Sequence, residues 1–374
     1  MLPLPRAWAG EGQGGGPSIS ATADRWIEPL GLISGPAAFH AISTGAALPF
    51  QGGARAFAFV RLIEDGHALG VLPVGAVPED WSDALHDLAL RLPPFAGLPV
   101  DRPLVMGVVN VTPDSFSDAG RHFDHRAAIA AGHAMLESGA DLLDVGGEST
   151  RPGATPVSAE EEQARILPVI RELAKAATVS VDTRHAATMR AALEAGAEIV
   201  NDVSALRHDP EAVRVVARAE APVILMHMLG DDPRRMQENP RYGDVALDVA
   251  RFLRDRVETA QALGIPRGRI AVDPGIGFGK TMAHNLAILA RLPLLAAIGC
   301  RVVLGVSRKA FLGRLTGEPV AGQRLVGSLA AALAGAARGA AILRVHDVAE
   351  TVQALNVWRA SEVGGVEDQD VPAE

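Results

Sequence analysis

The chain has 374 residues, of which 48% are hydrophobic and 21% charged, as is typical of a soluble globular protein. Its formal net charge of -9 argues against a nucleic-acid partner, and Cys300, the only cysteine, excludes internal disulfides and a cysteine-rich zinc site. The N-terminus lacks the unbroken apolar core of a signal peptide. The longest apolar stretch, residues 325–343, is rich in alanine and glycine and contains Arg338, so it predicts a packed helix running into a strand. We therefore expect a cytoplasmic protein with no membrane or nucleic-acid partner.

The first hundred residues differ in character from the rest of the chain. Residues 1–23 are rich in glycine, proline and alanine, which predicts a disordered N-terminus. Residues 24–100 contain one alternating stretch that predicts a strand and one stretch at helical spacing that predicts a short helix. The strand residues are Phe57, Phe59, Arg61 and Ile63, and the helix face consists of Trp81, Leu85, Leu88 and Leu92. We interpret residues 24–100 as a small N-terminal extension or α+β accessory region.

From Leu104 onward the chain repeats an order of apolar strand, polar loop and helix. Strands are predicted over residues 104–110, 141–145, 178–181, 198–200, 222–226, 269–272, 301–305 and 340–343. Eight such units over about 260 residues match the size of a (β/α)8 TIM barrel. A doubly wound open sheet uses the same alternation and is the alternative, but the repeat runs on without an obvious break, which favours closure. The barrel is predicted over residues 101–363, followed by an acidic disordered tail over 364–374.

Polar residues recur where these strands end. They are Asn110, Asp182, Asn201, Asp273, Lys309, Arg344 and His346. A single Asp or Asn in such a place is usually a helix cap, but this set follows one rule and includes a Lys, an Arg and a His, which do not cap helix N-termini. Because the carboxyl ends of barrel strands converge on one mouth, the sequence predicts one site built from all of them.

Two sequence patterns suggest known binding motifs but do not have the residue spacing that those motifs require. The segment from Gly275 to Thr281 resembles a phosphate-binding loop, but only three residues separate Gly275 from the Gly-Lys pair where four are needed. We interpret it as a tight turn that brings Phe278 to the pocket wall. The histidines lack the spacing of zinc ligands, and His227 is interpreted as a hydrogen-bonded residue at the barrel mouth.

The motifs, taken together and in this order, resemble the dihydropteroate synthase family. They occupy residues 106–117, 144–153, 180–183, 201–204, 225–228, 273–280, 305–309 and 344–348. The resemblance implies condensation of 6-hydroxymethyl-7,8-dihydropterin diphosphate with 4-aminobenzoate, which gives 7,8-dihydropteroate and pyrophosphate in folate biosynthesis. It also implies a homodimer.

The resemblance assigns roles to the predicted site residues. Those expected to bind the pterin diphosphate are Thr150, Arg151, Asp182, Asn201, Asp273, Lys309, Arg344 and His346. Those expected beside 4-aminobenzoate are Phe116, Pro152, Phe278 and Ser307, with Ser307 near its carboxylate. Asn110 is the expected Mg²⁺ ligand, because Mg²⁺ keeps waters and bridges to substrate phosphates. The expected catalytic residues are Asp118, Lys309, Arg344 and His346.

The expected chemistry is dissociative. Once pyrophosphate is stabilised, the C–O bond breaks first and leaves a cation that is delocalised into the pterin; we hypothesise that Asp118 steadies this cation. The aniline nitrogen then attacks without needing a strong base.

Two other functions fit the same barrel. A methyltetrahydrofolate–corrinoid methyltransferase has a similar pterin pocket but needs no diphosphate ligands, so Arg344 and His346 count against it. A catalytically silent pterin-binding paralogue is the second, and the intact loops 110–117 and 150–153 argue against it.

Overall fold

The computed structural model describes residues 24–99, 101–112, 125–149, 157–230 and 235–364. Contacts within the chain define two units, one of Met1–Arg91 with Ala360–Glu374 and one of Leu92–Arg359. The disorder predicted for residues 1–23 and for the acidic tail from residue 365 on concerns residues outside the described ranges.

The first unit is an antiparallel sheet with two helices. Its elements are β1 (Arg25–Ile33), α1 (Gly35–Ser43), β2 (Leu48–Pro49), β3 (Ala56–Glu64), β4 (His67–Pro73) and α2 (Ser82–Ala89). Strand β3 pairs with β1 along its whole length and with β2 and β4. The predicted strand and helix are both present, with Phe57 fully buried in β3 and Leu85 and Leu88 buried on α2. The helix is shorter than predicted, because it ends at Ala89 and leaves Leu92 outside it.

The second unit contains a closed barrel of parallel strands. The strands are β5 (Leu104–Asn110), β6 (Leu142–Gly146), β7 (Val179–Asp182), β8 (Ile199–Asp202), β9 (Val223–Met226), β10 (Ile270–Asp273), β11 (Arg301–Leu304) and β12 (Ala340–Val345). Each strand pairs with its neighbours in chain order, and β12 pairs with β5 to close the barrel. The predicted (β/α)8 barrel is therefore confirmed and the open sheet is excluded. The predicted strand ends lie within two residues of the observed ones.

Helices connect the barrel strands. They are α3 (His125–Glu137), α4 (Ala159–Leu173), α5 (Ala186–Glu194), α6 (Ala212–Arg218), α7 (Val245–Ala262), α8 (Met282–Ala290), α9 (Ala310–Thr316), α10 (Leu325–Ala337) and α11 (Val348–Val363). The apolar stretch from residue 325 forms α10 and continues into β12, as predicted. Among the helices of the described ranges, none is both long enough and apolar enough to cross a membrane.

The barrel strands are apolar because they are buried on both faces. Every residue of β6 and β9 is buried. Inside the barrel a cluster of apolar side chains contributed by different strands forms a packed core; it includes Met106, Leu142, Ile199, Ile224, Val303 and Ile342. This core closes the interior, so polar side chains at the strand ends remain at the mouth.

Candidate active site

A pocket lies at the carboxyl ends of the barrel strands. It is lined by Asp182, Asn201, Val203, Met226, Asp273, Gly275, Ile276, Phe278, Gly305, Lys309 and Arg344. The lining includes six predicted site residues, contributed by segments more than 160 residues apart in the sequence. The prediction that the strand ends converge on one mouth is thus confirmed for Asp182, Asn201, Asp273, Lys309 and Arg344, whereas the individual roles of these residues stay predictions.

Arg344 joins two carboxylates across the floor of this pocket. Its Nε donates to Asp144 Oδ2 over 2.6 Å and its Nη2 donates to Asp182 Oδ2 over 2.8 Å. Asn201 Nδ2 donates to the same Asp144 oxygen over 3.0 Å, so the amide oxygen of Asn201 is turned away from Asp144 and is available as an acceptor. Sequence reasoning missed Asp144, which is 0% exposed. The available signal was a carboxylate inside the otherwise apolar strand β6.

Burial of the pocket carboxylates raises their proton affinity. It raises the pKa of Asp182 to about 7, although Arg344 acts in the opposite direction. Burial also raises the pKa of Asp273, although the hydrogen bond from the main-chain N–H of Gly275 lowers it in part. At Arg344, burial lowers the pKa of the guanidinium, but the negative charges of Asp144 and Asp182 have the larger combined effect and raise it. The guanidinium therefore stays cationic. A ligand that brings N–H donors to these carboxylates stabilises their charged form.

The loop after β10 is a tight turn, as predicted, and Lys280 holds it together. Lys280 Nζ lies 2.9 Å from the carbonyl oxygen of Gly275, 3.0 Å from that of Phe278 and 2.8 Å from Nδ1 of His227. The side-chain nitrogen thus binds its own loop, unlike the lysine of a phosphate-binding loop. The loop in turn orients Asp273, because the Gly275 N–H donates to Asp273 Oδ1 over 2.7 Å.

Lys309 and Phe278 face each other across the pocket wall. Lys309 Nζ lies 4.3 Å from the centre of the Phe278 ring, within the range of a cation–π contact. Phe278 packs against the buried side chains of Val203, Met226 and Met236. The predicted placement of Phe278 at the pocket wall is confirmed.

Three further predicted residues lie at or just beyond strand ends but are not among the residues that line this pocket. Asn110 ends β5 with a half-buried side chain. Ser307 and His346 follow β11 and β12 and contact each other, with Ser307 Oγ 3.0 Å from His346 Nδ1. Among the described residues no group of three His, Cys, Asp or Glu side chains could hold a metal ion. The remaining predicted site residues, Phe116, Asp118, Thr150, Arg151 and Pro152, lie outside the described ranges.

Comparison with known proteins gives consistent matches. A family model described as "Pterin binding enzyme" matches residues 106–346. The dihydropteroate synthase of Neisseria meningitidis serogroup C is 50% identical over 266 residues, which are 70% of this chain and 93% of the relative. That of Escherichia coli K12 is 43% identical over 266 residues, covering 71% of this chain and 93% of the relative.

Solved structures give the same result. A dihydropteroate synthase from Xanthomonas albilineans with 4-aminobenzoic acid superposes with a TM-score of 0.67 at 52% identity, covering 73% of this chain and 95% of that chain. The enzyme from the same organism in complex with 7,8-dihydropteroate has a TM-score of 0.65 at 49% identity, covering 74% and 97%.

Proposed function

The chain belongs to the dihydropteroate synthase family of pterin-binding enzymes, and we propose that its barrel mouth carries out the reaction of that family. In this reaction 6-hydroxymethyl-7,8-dihydropterin diphosphate and 4-aminobenzoate give 7,8-dihydropteroate and pyrophosphate. The observation that carries the proposal is the pocket that brings Asp182, Asn201, Asp273, Lys309 and Arg344 together. The Xanthomonas albilineans complexes with 4-aminobenzoic acid and with 7,8-dihydropteroate support it.

The pterin is recognised through its hydrogen-bonding edge. Its amino group and neighbouring ring N–H are two donors side by side, and the buried carboxylate of Asp273 accepts both. Asn201 contributes its amide oxygen, since Asp144 holds the amide nitrogen. Asp182 binds the remaining part of this edge of the pterin, and Lys309 donates a hydrogen bond to the ring carbonyl or to N5. Each hydrogen bond to a charged group contributes about 1.5–3 kcal/mol, so several together select a pterin over similar heterocycles.

Departure of pyrophosphate is assisted by cations and hydrogen-bond donors. Arg344 keeps its charge because two carboxylates hold it, and His346 lies two residues further along the chain. Arg344 thus provides positive charge, and His346 a hydrogen-bond donor, at the place where the negative charge of the diphosphate increases as the C–O bond breaks. Thr150 and Arg151 are proposed as further donors.

The second substrate attacks the resulting cation. The aniline nitrogen of 4-aminobenzoate is already a free amine and needs no strong base. Its ring is proposed to rest on Phe278, with Phe116 and Pro152 beside it, and Asp118 is proposed to steady the cation on the pterin.

Mg²⁺ is proposed as the cofactor, with Asn110 as its protein ligand. One amide oxygen at the end of β5 fits an ion that keeps most of its waters and bridges to phosphates. When bound, Mg²⁺ supplies positive charge to the diphosphate.

A homodimer and a cytoplasmic location are proposed as well. The homodimer is supported by apolar side chains at the surface around α9 and α10, among them Leu315, Val320 and Val326, which is 80% exposed. The location is supported by Cys300, a buried free thiol that suits a reducing compartment.

Pyrophosphate release tests the proposed function. The purified full chain, supplied with Mg²⁺ and the pterin diphosphate, is expected to release pyrophosphate only when 4-aminobenzoate is present. Release without 4-aminobenzoate would indicate hydrolysis, and no release would indicate a silent binding protein. Methyl transfer from methyltetrahydrofolate to a corrinoid would instead support the methyltransferase alternative.

A further inference from the structure

Ser307 and His346 follow neighbouring barrel strands and make two contacts with each other. The main-chain N–H of His346 donates to Ser307 Oγ over 3.2 Å, and His346 Nδ1 lies 3.0 Å from the same oxygen. Ser307 is only 6% exposed. The two contacts together fix the orientation of the imidazole ring.

The direction of the second contact follows from the number of hydrogens on the hydroxyl group. Ser307 Oγ already accepts the N–H of His346, and within the described part of the chain its single hydrogen has no acceptor other than Nδ1. Leaving a buried hydroxyl hydrogen unpaired is unfavourable. The hydroxyl therefore donates to Nδ1, which carries no proton. In a neutral imidazole the proton then lies on Nε2.

The surroundings of His346 also disfavour a second proton on the ring. Burial, together with the positive charges of Arg344 and Arg308, lowers the pKa of His346 to about 4. Asp347 acts in the opposite direction and Lys309 in the same direction as the arginines. At neutral pH the ring is uncharged and has one donor, the N–H at Nε2.

We propose that Ser307 is a positioning residue that holds His346 as the neutral Nε2–H tautomer, so that His346 donates a hydrogen bond to the departing pyrophosphate. This inference rests on the proposed function. The electron pair of the breaking C–O bond goes to the pyrophosphate oxygen, and the imidazole keeps its proton throughout. His346 therefore acts as a hydrogen-bond donor, and Arg344 supplies the positive charge.

This role competes with the one that the family resemblance implies for Ser307. A hydroxyl whose hydrogen is donated to His346 Nδ1 has no hydrogen left for the carboxylate of 4-aminobenzoate. The two roles predict different kinetic defects, because one concerns the departure of pyrophosphate and the other concerns the binding of the second substrate.

Nitrogen NMR of the histidine rings tests the tautomer directly, and it needs no substrate. In ¹⁵N-labelled full-length protein, the signals of His346 are assigned by their loss in His346→Gln. We expect a protonated Nε2 and an unprotonated, hydrogen-bonded Nδ1. In Ser307→Ala the two shifts should move toward a mixture of tautomers. Ser180→Ala is the matched control, since it removes a buried serine hydroxyl of β7 for which the described chain offers no hydrogen-bond partner.

Steady-state kinetics of the same variants test the consequence for the reaction. Ser307→Ala is expected to lower kcat by roughly twofold, because a mixture of the two tautomers leaves about half of the His346 rings without the Nε2–H donor, with the KM for 4-aminobenzoate unchanged. Ser180→Ala should change neither kcat nor the KM for 4-aminobenzoate.

Results that differ from these expectations contradict different parts of the inference. A protonated Nδ1 in the unmodified protein, or an unchanged histidine spectrum in Ser307→Ala, overturns the inference. A raised KM for 4-aminobenzoate with unchanged kcat also overturns it and assigns Ser307 to the carboxylate. If the unmodified chain releases no pyrophosphate, the proposed function fails, while the NMR result still decides the tautomer.

Discussion

Arg344 Nε lies 2.6 Å from Oδ2 of Asp144, a carboxylate with no exposed surface. The two residues are 200 positions apart in the sequence, on strands β12 and β6. Because a buried guanidinium needs a carboxylate partner, Asp144 compensates the charge and sets the direction of the arginine that faces the pocket.

Replacing Asp144 tests this dependence. We expect Asp144→Ala to lower the free energy of unfolding by about 3 kcal/mol, since it leaves a buried positive charge with one partner fewer. Urea unfolding measures the change. Glu220→Ala is the control: it breaks the Arg269–Glu220 pair, in which the Glu220 side chain is 73% exposed, and should change stability by no more than about 1 kcal/mol. Equal small losses in both variants would contradict the structural importance of Asp144.

Asp273→Asn tests the recognition of the pterin edge. An amide places an N–H group where the pterin also places one, so the KM for pterin diphosphate should rise roughly a hundredfold. Steady-state kinetics measure the KM, and calorimetric titration with pterin diphosphate checks that the defect lies in binding.

Asp202→Asn provides the comparison for this experiment. Asp202 is another buried carboxylate at a strand end, but its oxygens accept hydrogen bonds from Ser204 and from the main chain of Leu206. We expect this variant to be less stable with an unchanged KM. A similar rise in KM for both variants would mean that Asp273 has no special part in binding.

Glu162 on α4 predicts a pH dependence of stability. Its carboxylate is 0% exposed and accepts a hydrogen bond from Thr183 Oγ1, and burial raises its pKa to about 7. Between about pH 4.5 and 7 the folded protein holds a proton there that the unfolded chain releases, so the free energy of unfolding falls as the pH rises. The contribution is up to about 3 kcal/mol.

Urea unfolding at pH 5 and pH 8 measures this effect. Glu162→Gln, which is neutral at every pH, should lose this part of the decline and be the more stable protein at pH 8. Glu160→Gln, at an exposed position on the same helix, should keep the decline. An unchanged pH dependence in Glu162→Gln would show that this carboxyl group does not cause it.

The turn after β10 predicts an intolerance to any side chain at Gly275. The residue has a φ of 64°, and a Cβ atom there would lie 1.9 Å from the carbonyl oxygen of His227. We expect Gly275→Ala to lower the melting temperature strongly and to raise the KM for the pterin, because the loop also orients Asp273. Gly230→Ala has a comparable φ of 72°, and no atom of the described residues lies within 4 Å of the new Cβ, so only the backbone cost of about 1 kcal/mol is expected. Similar melting temperatures for the two variants would rule out the steric explanation.

The sequence predicts the strand ends well because buried parallel strands are apolar and stop abruptly at polar residues. This is why Asp182, Asn201, Asp273 and Arg344 could all be placed at the barrel mouth. Asp144 was missed because it lies inside strand β6, where the rule of polar strand ends does not apply.

Contacts between distant loops are harder to predict. His227 was expected to be hydrogen-bonded, but its partner, Lys280, is 53 residues away and is selected by the fold. In the first unit, the alternating apolar residues predicted β3. The same pattern could not identify β1 and β4, because their pairing with β3 depends on side-chain packing in the sheet.

The pairing of β12 with β5 has a consequence for synthesis of the protein on the ribosome. A nascent chain that contains β11 but not yet β12 has two open strand edges, at β5 and at β11, and such edges favour aggregation. It also lacks Arg344, so Asp144 has no cation to pair with until translation has passed that codon. The chain can therefore become catalytically active only in one late step, when β12 pairs with β5 and closes the barrel.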